Sequence, residues 1–251
     1  MNYSDVLNIE CKNTEVFLGY YGNILKKVDL SENPSVIITG STGTSKSVMM
    51  HQILLQLIKN NNSDDLKIIT INPTKVELKP YRDSIYSFHK DIELDSSNLS
   101  ILINIIDSRI NLFKENEVED YYSYNEKNNE KKLPIIVLAI DEATDLLKEN
   151  NSDEKFRYII NNCKKVGLIL LLDTNDIYNQ FFFKGYNTMA NIRISFDFVS
   201  NEDSKITNLH NCDKLALDEF IIEMNNNSPE QKLKSFIFED SIIKEILNKK
   251  S

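Results

Sequence analysis

The chain has 251 residues and carries 29 Lys and Arg against 38 Asp and Glu, which gives a formal net charge of −9. That length suits one large α/β domain or two small ones, and one domain is the simpler expectation. The negative charge excludes a protein that coats nucleic acid by bulk electrostatics, but it leaves open a ring whose pore alone contacts DNA.

The cysteines and the apolar runs bear on the cellular location of the protein and on whether it spans a membrane. Cys11, Cys163 and Cys212 are widely scattered, so neither a disulfide framework nor a zinc site is predicted. A reducing, cytoplasmic location fits this usage best. The apolar runs are too short to cross a bilayer, so we predict no membrane segment in this chain.

Short β-branched runs alternate with longer segments of helical period along the chain. This alternation predicts an α/β fold, with a mostly parallel central sheet flanked by helices. The predicted strands are Val36–Thr39, Lys67–Ile71, Ile135–Ile140, Leu168–Asp173, Arg193–Val199 and Lys234–Glu239. The third of these is apolar throughout, which indicates a strand buried on both faces and central in the sheet.

Three helices are predicted between these strands, over Ser47–Lys59, Ser97–Asn116 and Ser152–Lys165. Their apolar residues recur at helical spacing, and the third begins at a capping Ser or Asp. The charged span Glu115–Lys132 is weakly periodic, so we predict a long surface excursion there. The Asn runs at 60–62 and 225–227 are predicted to be solvated turns.

The sequence "GSTGTSKS" at residues 40–47 is typical of a phosphate-binding loop, because it joins a predicted strand to a predicted helix. Backbone N–H groups of such a loop turn inward on phosphate oxygens. Lys46 would lie along the β- and γ-phosphates, and the Ser47 hydroxyl would reach Mg²⁺. An ordinary turn before a capped helix is the alternative. The predicted nucleotide-binding residues are Gly40, Ser41, Thr42, Gly43, Thr44, Ser45, Lys46, Ser47 and Val48.

Ser45 stands where the loop pattern has its second glycine. Glycine is favoured there because it accepts positive φ and lets phosphate approach closely. A left-handed Ser45 would cost about 1–2 kcal/mol, whereas a helical Ser45 would cost little. The substitution therefore weakens the pattern without removing it.

The sequence "IIVLAIDEATDLL" places Asp141 and Glu142 at the end of the apolar strand predicted over Ile135–Ile140. The carboxyl ends of parallel strands lie at the edge where the phosphate loop is expected. In a P-loop enzyme the first acid supports Mg²⁺, and the second orients and deprotonates the attacking water. Two acids that merely favour the next helix start are the alternative.

Several further segments resemble the motor domain of the FtsK/SpoIIIE DNA translocases, in order and over about residues 16 to 210. They are "EVFLGYYGNILKKVDL" before the loop, "INPTKVELKPY" with Pro73, Glu77, Leu78 and Tyr81, Arg109 followed by Tyr124 and Asn125, and "NIRISFDFVSNEDSK" with Arg193, Phe196, Val199, Ser200, Asp203 and Ser204. A series of matches in this order is more specific than any single motif.

The resemblance implies a RecA-like P-loop core that uses ATP with Mg²⁺ and acts on double-stranded DNA. It also implies a homo-oligomeric ring, a hexamer, in which a neighbour completes each active site and which in some relatives assembles only on DNA. On this basis residues 1–33 are a lead-in packed on the core, 34–240 the ATPase core, and 241–251 a C-terminal helix or tail.

The chain departs from the family pattern at several sensor and coupling positions. Where the family has D-P-K, this chain has Asn72 and Thr74 on either side of the proline. Asn175 and Asp176 replace the family's Gln-Arg sensor pair, and Lys205 replaces a later arginine. Asn175 can still hydrogen-bond the γ-phosphate or water, with a shorter reach than Gln. Lys205 keeps the charge but loses the bidentate fork.

Arg193 is a candidate arginine finger that reaches a phosphate across a subunit boundary. An arginine at a strand start, paired with an acid, explains the residue equally well. Arg109 and Arg157 are weaker candidates of the same kind. Phe181–Phe183 are expected in packing or a subunit contact, with a DNA contact near Lys184 as the alternative.

The leading hypothesis is an ATP-dependent DNA translocase in conjugative transfer, segregation or packaging. Lys46, Glu142, Asn175 and Arg193 form its predicted catalytic set, and Ser47 and Asp141 its metal-binding pair. Two alternatives remain: a hydrolysis-poor nucleotide-binding module for assembly or regulation, and a secretion ATPase that moves protein. DNA-stimulated ATP hydrolysis separates the first hypothesis from both alternatives.

Overall fold

A computed structural model gives the fold of the chain, and the residues it describes are 1–71, 78–88, 99–142, 152–175, 189–198, 200–225 and 228–250. Among these residues nine strands form a single sheet, in the order β2-β1-β9-β8-β7-β3-β6-β5-β4. The strands are β1 (Glu15–Tyr21), β2 (Ile24–Asp29), β3 (Ser35–Thr39), β4 (Leu66–Ile71), β5 (Ile135–Ile140), β6 (Leu168–Thr174), β7 (Ile192–Ser195), β8 (Glu219–Met224) and β9 (Gln231–Lys234).

Helices cover this sheet in the described parts of the chain. They are α1 (Tyr3–Leu7), α2 (Lys46–Asn60), α3 (Lys79–Arg82), α4 (Leu99–Glu115), α5 (Tyr121–Lys127), α6 (Ser152–Val166), α7 (Asn201–Ile206) and α8 (Ser241–Lys249), with a 3-10 turn at Cys212–Lys214. None of these helices is long and apolar enough to cross a membrane.

The sheet has two halves with different strand directions. Strands β7, β3, β6, β5 and β4 run parallel. Strands β8, β9, β1 and β2 continue the sheet with antiparallel pairing. The predicted α/β fold with a mostly parallel central sheet is therefore confirmed.

Burial of both faces explains why the parallel half has nearly continuous apolar strands. Every residue of β5 and β6 is buried. The chain crosses from β3 to β4 in one direction and from β5 to β6 in the other. Because such crossovers are right-handed, α2 lies on one face, and α4 and α6, which pack together, lie on the other.

Buried polar side chains hold α2 in place. His51 Nδ1 lies 2.8 Å from the Tyr81 hydroxyl. Gln56 accepts from the Phe17 amide at 2.7 Å and donates to the Phe17 carbonyl at 2.9 Å. The Tyr3 hydroxyl donates to the Gln52 carbonyl. The helix that begins at the phosphate loop is thus bonded to α1, β1 and α3, and such satisfied buried bonds fix one orientation.

Four predicted strands agree with the observed ones to within a residue at either end, namely β3, β4, β5 and β6. The apolar strand β5 lies beside the edge strand β4, so its predicted central position is wrong, although both its faces are buried. The three predicted helices also form, over α2, α4 and α6. Residues 97 and 98 of the second prediction lie outside the described residues.

The fifth predicted strand, Arg193–Val199, is shorter than expected and is observed as β7 over Ile192–Ser195. Beyond it the Phe196 amide donates to the Thr39 carbonyl at 2.9 Å, and the Asp197 carbonyl accepts from the Ser41 amide at 2.9 Å. These bonds hold the segment after β7 beside the start of the phosphate loop. Residue 199 lies outside the described residues.

The last predicted strand, Lys234–Glu239, is wrong, because the strand is β9 over Gln231–Lys234. Beyond Lys234 the chain forms only an isolated bridge, between Ile237 and Asn2, among the described residues. Phe236 lies 5.8 Å from the Tyr20 ring and 6.2 Å from the Tyr3 ring, and Phe238 lies 5.4 Å from the Tyr3 ring. The tail that follows forms the short helix α8.

Two predicted surface segments carry buried residues instead. Within Glu115–Lys132, α5 packs Tyr121 and Tyr124 into the core at 7% and 8% exposure. In the run at 60–62, Asn61 is buried and donates to the carbonyls of Asn13 and Leu57. The other residues of Glu115–Lys132 are exposed or partly exposed, as predicted. The exceptions depend on contacts that the local sequence does not show, such as Tyr121 with Arg109 and Asn61 with the Asn13 carbonyl. Residues 226 and 227 of the second Asn run lie outside the described residues.

Candidate nucleotide site at the carboxyl edge

The loop between β3 and α2 uses glycine at two positions where the backbone requires it. Gly40 has φ +150° and Gly43 has φ +84°. A Cβ on Gly40 would lie 2.9 Å from both the Phe196 Cβ and the Thr44 Oγ1. A side chain at Gly43 would meet no crowding but would adopt a disfavoured conformation.

Ser45 does not adopt the left-handed conformation. It is the N-cap of α2, with φ −77° and ψ 27°. Its carbonyl accepts a hydrogen bond from the Met49 amide at 2.9 Å, which begins the helix. Because φ is negative, this position does not need glycine, and the departure from the glycine pattern costs little here.

The loop is bonded to itself around Ser41. The Ser41 carbonyl accepts from the Thr44 hydroxyl at 2.8 Å and from Lys46 Nζ at 2.9 Å. Lys46 is only 7% exposed. Burial lowers the pKa of Lys46, while the nearby Asp173, Glu142 and Asp141 oppose that shift. The buried ammonium therefore faces three acids.

The acidic pair lies at the end of β5. Asp141 is 5% exposed, and Glu142, the next residue, has φ +55°. The Glu142 amide donates to Asp173 Oδ1 at 2.8 Å. Asp173 is 2% exposed, lies near the end of β6 and shares a side-chain hydrogen bond with Asp141. Burial raises the pKa of Asp173, and the Glu142 amide and Lys46 counter part of that rise.

Asn175 joins the loop to the acidic pair. Its Nδ2 lies 3.2 Å from the Thr42 Oγ1 and 3.2 Å from Glu142 Oε1. The structure therefore brings Lys46, Glu142 and Asn175 to one edge of the sheet. Ser47 and Val48 come directly after Lys46 in the first turn of α2, and their side chains are partly exposed.

Oxygen ligands suited to Mg²⁺ are present at this edge. Mg²⁺ takes one or two protein oxygens and completes its shell with water and substrate phosphates. The Ser47 hydroxyl and the Asp141 carboxylate are of this kind. Among the described residues no cluster of three His, Cys, Asp or Glu side chains could hold a metal by itself. The donors fit an ion that arrives with a nucleotide.

Arg193 lies away from this group. Arg193 lies in β7, and its buried side chain pairs with Glu223 of β8. In the sheet it is opposite Ile37 of β3, two residues before the strand ends at Thr39. This is the arrangement of the alternative interpretation, a strand arginine paired with an acid. A role across a subunit boundary stays a prediction.

The sequence prediction missed Asp173. It follows the apolar run Leu168–Leu172 just as Asp141 follows Ile135–Ile140, and that parallel was the available signal. Because β5 and β6 are adjacent, with Ile140 opposite Leu172, the two aspartates meet at the same edge.

Two residues of the sequence pattern, Arg109 and Asn125, lie at the opposite, amino edge of the parallel strands. Arg109 donates to the carbonyls of Val166 and Pro134, which precede β6 and β5, and its guanidinium lies 5.8 Å from the Tyr121 ring centre. Asn125 exchanges two hydrogen bonds with the Leu133 backbone, at 3.0 and 2.9 Å. These contacts fix the strand starts. Arg157, the other weak candidate, lies in α6, where its Nη1 is 3.6 Å from the Met189 sulfur.

Other segments of the pattern fall outside the described residues or lie away from the site. Tyr81 is fully buried against α2, and Lys205 is exposed in α7. Positions 72 to 77, which include Asn72, Thr74 and Glu77, lie outside the described residues, as do Asp176, Phe181–Phe183 and Lys184.

Comparison with known proteins gives a family and a fold. The FtsK/SpoIIIE family model matches residues 14–180. The DNA translocase FtsK of Treponema pallidum is 31% identical over 109 residues, which cover 42% of this chain and 14% of that protein. The corresponding protein of Clostridium tetani is 32% identical over 101 residues, which cover 39% and 14%. The matches thus span a small part of these longer relatives.

Solved structures share the architecture at low sequence identity. The pCW3 conjugation coupling protein TcpA, in its monomer form with ATPγS, has a TM-score of 0.79 at 19% identity, covering 97% of this chain and 72% of that one. The type VII secretion ATPase EccC of Thermomonospora curvata has a TM-score of 0.79 at 15% identity, covering 100% and 33%. The fold is therefore that of P-loop ATPase domains.

Proposed function

The chain belongs to the FtsK/SpoIIIE family, and from that membership we propose that it hydrolyses ATP to move double-stranded DNA. The observation that supports hydrolysis is the convergence of Lys46, Glu142 and Asn175 on one edge of the sheet, beside the phosphate loop. The named DNA translocases among its relatives support DNA as the moving partner.

In the proposed reaction the phosphates of ATP lie against the loop and the first turn of α2, where backbone N–H groups and the helix dipole favour anions. Lys46 exchanges its bond to the Ser41 carbonyl for the β- and γ-phosphates. Ser47 and Asp141 would hold the Mg²⁺ that arrives with ATP, and the ion would supply positive charge near the phosphate oxygens when bound. Glu142 orients and deprotonates the attacking water.

Asn175 is proposed to sense the γ-phosphate. Its amide already bonds both Thr42 of the loop and the Glu142 carboxylate. A γ-phosphate that drew the Asn175 amide towards itself would release Glu142 to bind water. Arg193 is kept as the proposed finger for a neighbouring subunit in a ring, and in that role it would have to leave Glu223.

ATP hydrolysis with and without duplex DNA tests the proposal in wild type, Lys46→Ala and Glu142→Gln. Both variants should lower kcat by about 100-fold or more, because one removes phosphate binding and charge and the other removes the base. Glu142→Gln should still bind ATP. Glu245→Gln, an exposed residue of α8 paired with Lys249, is the matched control and should hydrolyse ATP at the wild-type rate. Equal rates in wild type, Lys46→Ala and Glu142→Gln would overturn the catalytic assignment.

Affinity for duplex DNA at two salt concentrations tests the moving partner. If the protein binds DNA through phosphate contacts, the logarithm of the binding constant should fall linearly with the logarithm of the salt concentration. ATP hydrolysis without DNA affinity or DNA stimulation would favour the alternative of an ATPase that moves protein.

A hydrolysis-poor nucleotide-binding module is the second candidate, and the shortened sensor Asn175 and the exposed Lys205 favour it. Ser45 no longer does, because its φ is negative and does not need glycine. Tight ATP binding by calorimetry without turnover, in the presence and absence of DNA, would establish this candidate instead.

A further inference from the structure

We propose that Asp173 is a positioning residue: it holds the backbone of Glu142 in the turn that aims the Glu142 carboxylate at the nucleotide. The inference deepens the proposed function and rests on it, because Glu142 is the proposed base.

The backbone conformation of Glu142 is unfavourable unless a neighbouring group stabilises it. A non-glycine residue at φ +55° is disfavoured and persists where the surroundings fix it. The Glu142 amide donates to Asp173 Oδ1 at 2.8 Å. A hydrogen bond to a buried carboxyl oxygen is among the stronger ones available to a backbone amide. Asp173 is itself rigid, since it is 2% exposed and lies within β6.

The turn at Glu142 determines where its side chain goes. Residues of a strand alternate between the two faces of the sheet. The left-handed conformation takes Glu142 out of that alternation, and its Oε1 comes within 3.2 Å of the Asn175 amide. The same amide contacts Thr42 of the phosphate loop. Without the Asp173 acceptor, the backbone at Glu142 would be less constrained, and its carboxylate would no longer be held in one position.

Asp173 has two other neighbours that must be separated from this role. It shares a hydrogen bond with Asp141, and it attracts Lys46 electrostatically. If Asp173 worked by its charge on Lys46, removing that charge would change ATP binding. If it works by accepting from the Glu142 amide, any side chain that keeps the acceptor should preserve activity.

Asp173→Asn and Asp173→Ala separate these roles, because Asn removes the charge and keeps the acceptor. We expect Asp173→Ala to lower kcat by about 10- to 100-fold with KM for ATP within about 3-fold, since misplacement of a reacting group affects mainly the chemical step. Asp173→Asn should stay within about 3-fold of wild type for both constants. Equal loss in the two variants would overturn the proposal in favour of a charge effect.

A double-mutant cycle shows whether Asp173 acts through Glu142. In the Glu142→Gln background, Asp173→Ala should lower the residual rate by less than about 2-fold, because residues that act as one unit are not additive. A full 10-fold further loss would overturn the proposal. Thermal unfolding checks that each variant folds, and Asp173→Ser, whose hydroxyl falls short of the amide, replaces Asp173→Ala if that variant does not.

Amide hydrogen exchange of Glu142, measured by NMR on the nucleotide-free protein, tests the same bond without turnover. The Glu142 amide should exchange at least about 10-fold faster in Asp173→Ala than in wild type and near the wild-type rate in Asp173→Asn. Unchanged exchange in Asp173→Ala would overturn the proposal. If wild type shows no Lys46-dependent hydrolysis, the proposed function fails, whereas exchange still decides whether Asp173 holds Glu142.

Discussion

At the carboxyl edge of the parallel strands a buried lysine faces three acids, whereas at the amino edge a buried arginine faces two carbonyl oxygens and an aromatic ring. Lys46 and Arg109 are nearly equal in exposure, at 7% and 6%. Burial lowers the pKa of both, and that of Arg109 falls to about 10, so its guanidinium stays charged at neutral pH.

The two edges differ in how completely they satisfy their buried groups. At the amino edge Arg109 pairs with two neutral carbonyls, and the described residues with positive φ near it are Gly167 and the exposed Glu117. At the carboxyl edge two aspartates lie in contact, and Glu142 has a disfavoured backbone. Strain and like charges collect at functional sites, so the amino edge should govern stability and the carboxyl edge chemistry.

The largest expected effect is on stability at the amino edge. Arg109→Met removes the donors to the Val166 and Pro134 carbonyls, and each buried unpaired carbonyl costs about 1–3 kcal/mol. We expect a loss of about 3–4 kcal/mol in the free energy of unfolding, measured with urea, and wild-type turnover per folded molecule. Lys114→Met, in the exposed last turn of the same helix α4, is the control. Lost turnover at unchanged stability would break the contrast between the edges.

Gly167→Ala tests the packing of the same edge. Gly167 has φ +68°, and an added Cβ would lie 2.4 Å from atoms of the Tyr121 ring. Backbone strain and overpacking together should lower the free energy of unfolding by about 2–3 kcal/mol. Gly22→Ala is the matched control: its φ is +57°, but nothing lies within 4 Å, so about 1 kcal/mol is expected. Equal losses would mean that Tyr121 moves aside freely.

At the carboxyl edge we expect a substitution that stabilises and inactivates together. Glu142→Gly relieves the left-handed backbone and should raise the free energy of unfolding by about 1 kcal/mol, while ATP turnover is lost with the carboxylate. Thermal unfolding and an ATPase assay on one preparation measure both effects. Lower stability in Glu142→Gly would show that the carboxylate also holds the fold.

The smallest expected effect is at Ser45. Ser45→Gly restores the glycine of the loop pattern, but Ser45 already has a negative φ and is the N-cap of α2. Ser and Gly differ by a few tenths of a kcal/mol at such a cap, so ATP turnover should change by less than about 2-fold. Gly43→Ser, at φ +84°, is the contrasting variant and should weaken ATP binding. A large gain in Ser45→Gly would indicate that the nucleotide-bound loop uses another conformation.

The sequence predicted the parts of the fold whose signals are local. Strands β5 and β6 were predicted from their continuous apolar runs, Lys46 from the glycine-containing loop after β3, and Asp141 from its place at the end of β5. The hairpin of β1 and β2 was not predicted, because β2 lies at the edge of the sheet and only its Val28 is buried, which leaves a weak apolar pattern. Asp173 escaped because its importance depends on Glu142, which is distant in sequence and adjacent only after β5 and β6 pair.

The place of β1 in the sheet also determines when this protein can finish folding. The hairpin of β1 and β2 ends at Asp29, but β1 joins the rest of the sheet through β9, where Tyr20 lies opposite Lys234. At about 5–20 residues per second, the ribosome delivers that partner roughly ten seconds or more after the hairpin. The hairpin can pack on α2 through the bonds between Phe17 and Gln56 before then, but until β9 is made the edge of β1 is open to chaperones or to neighbouring nascent chains.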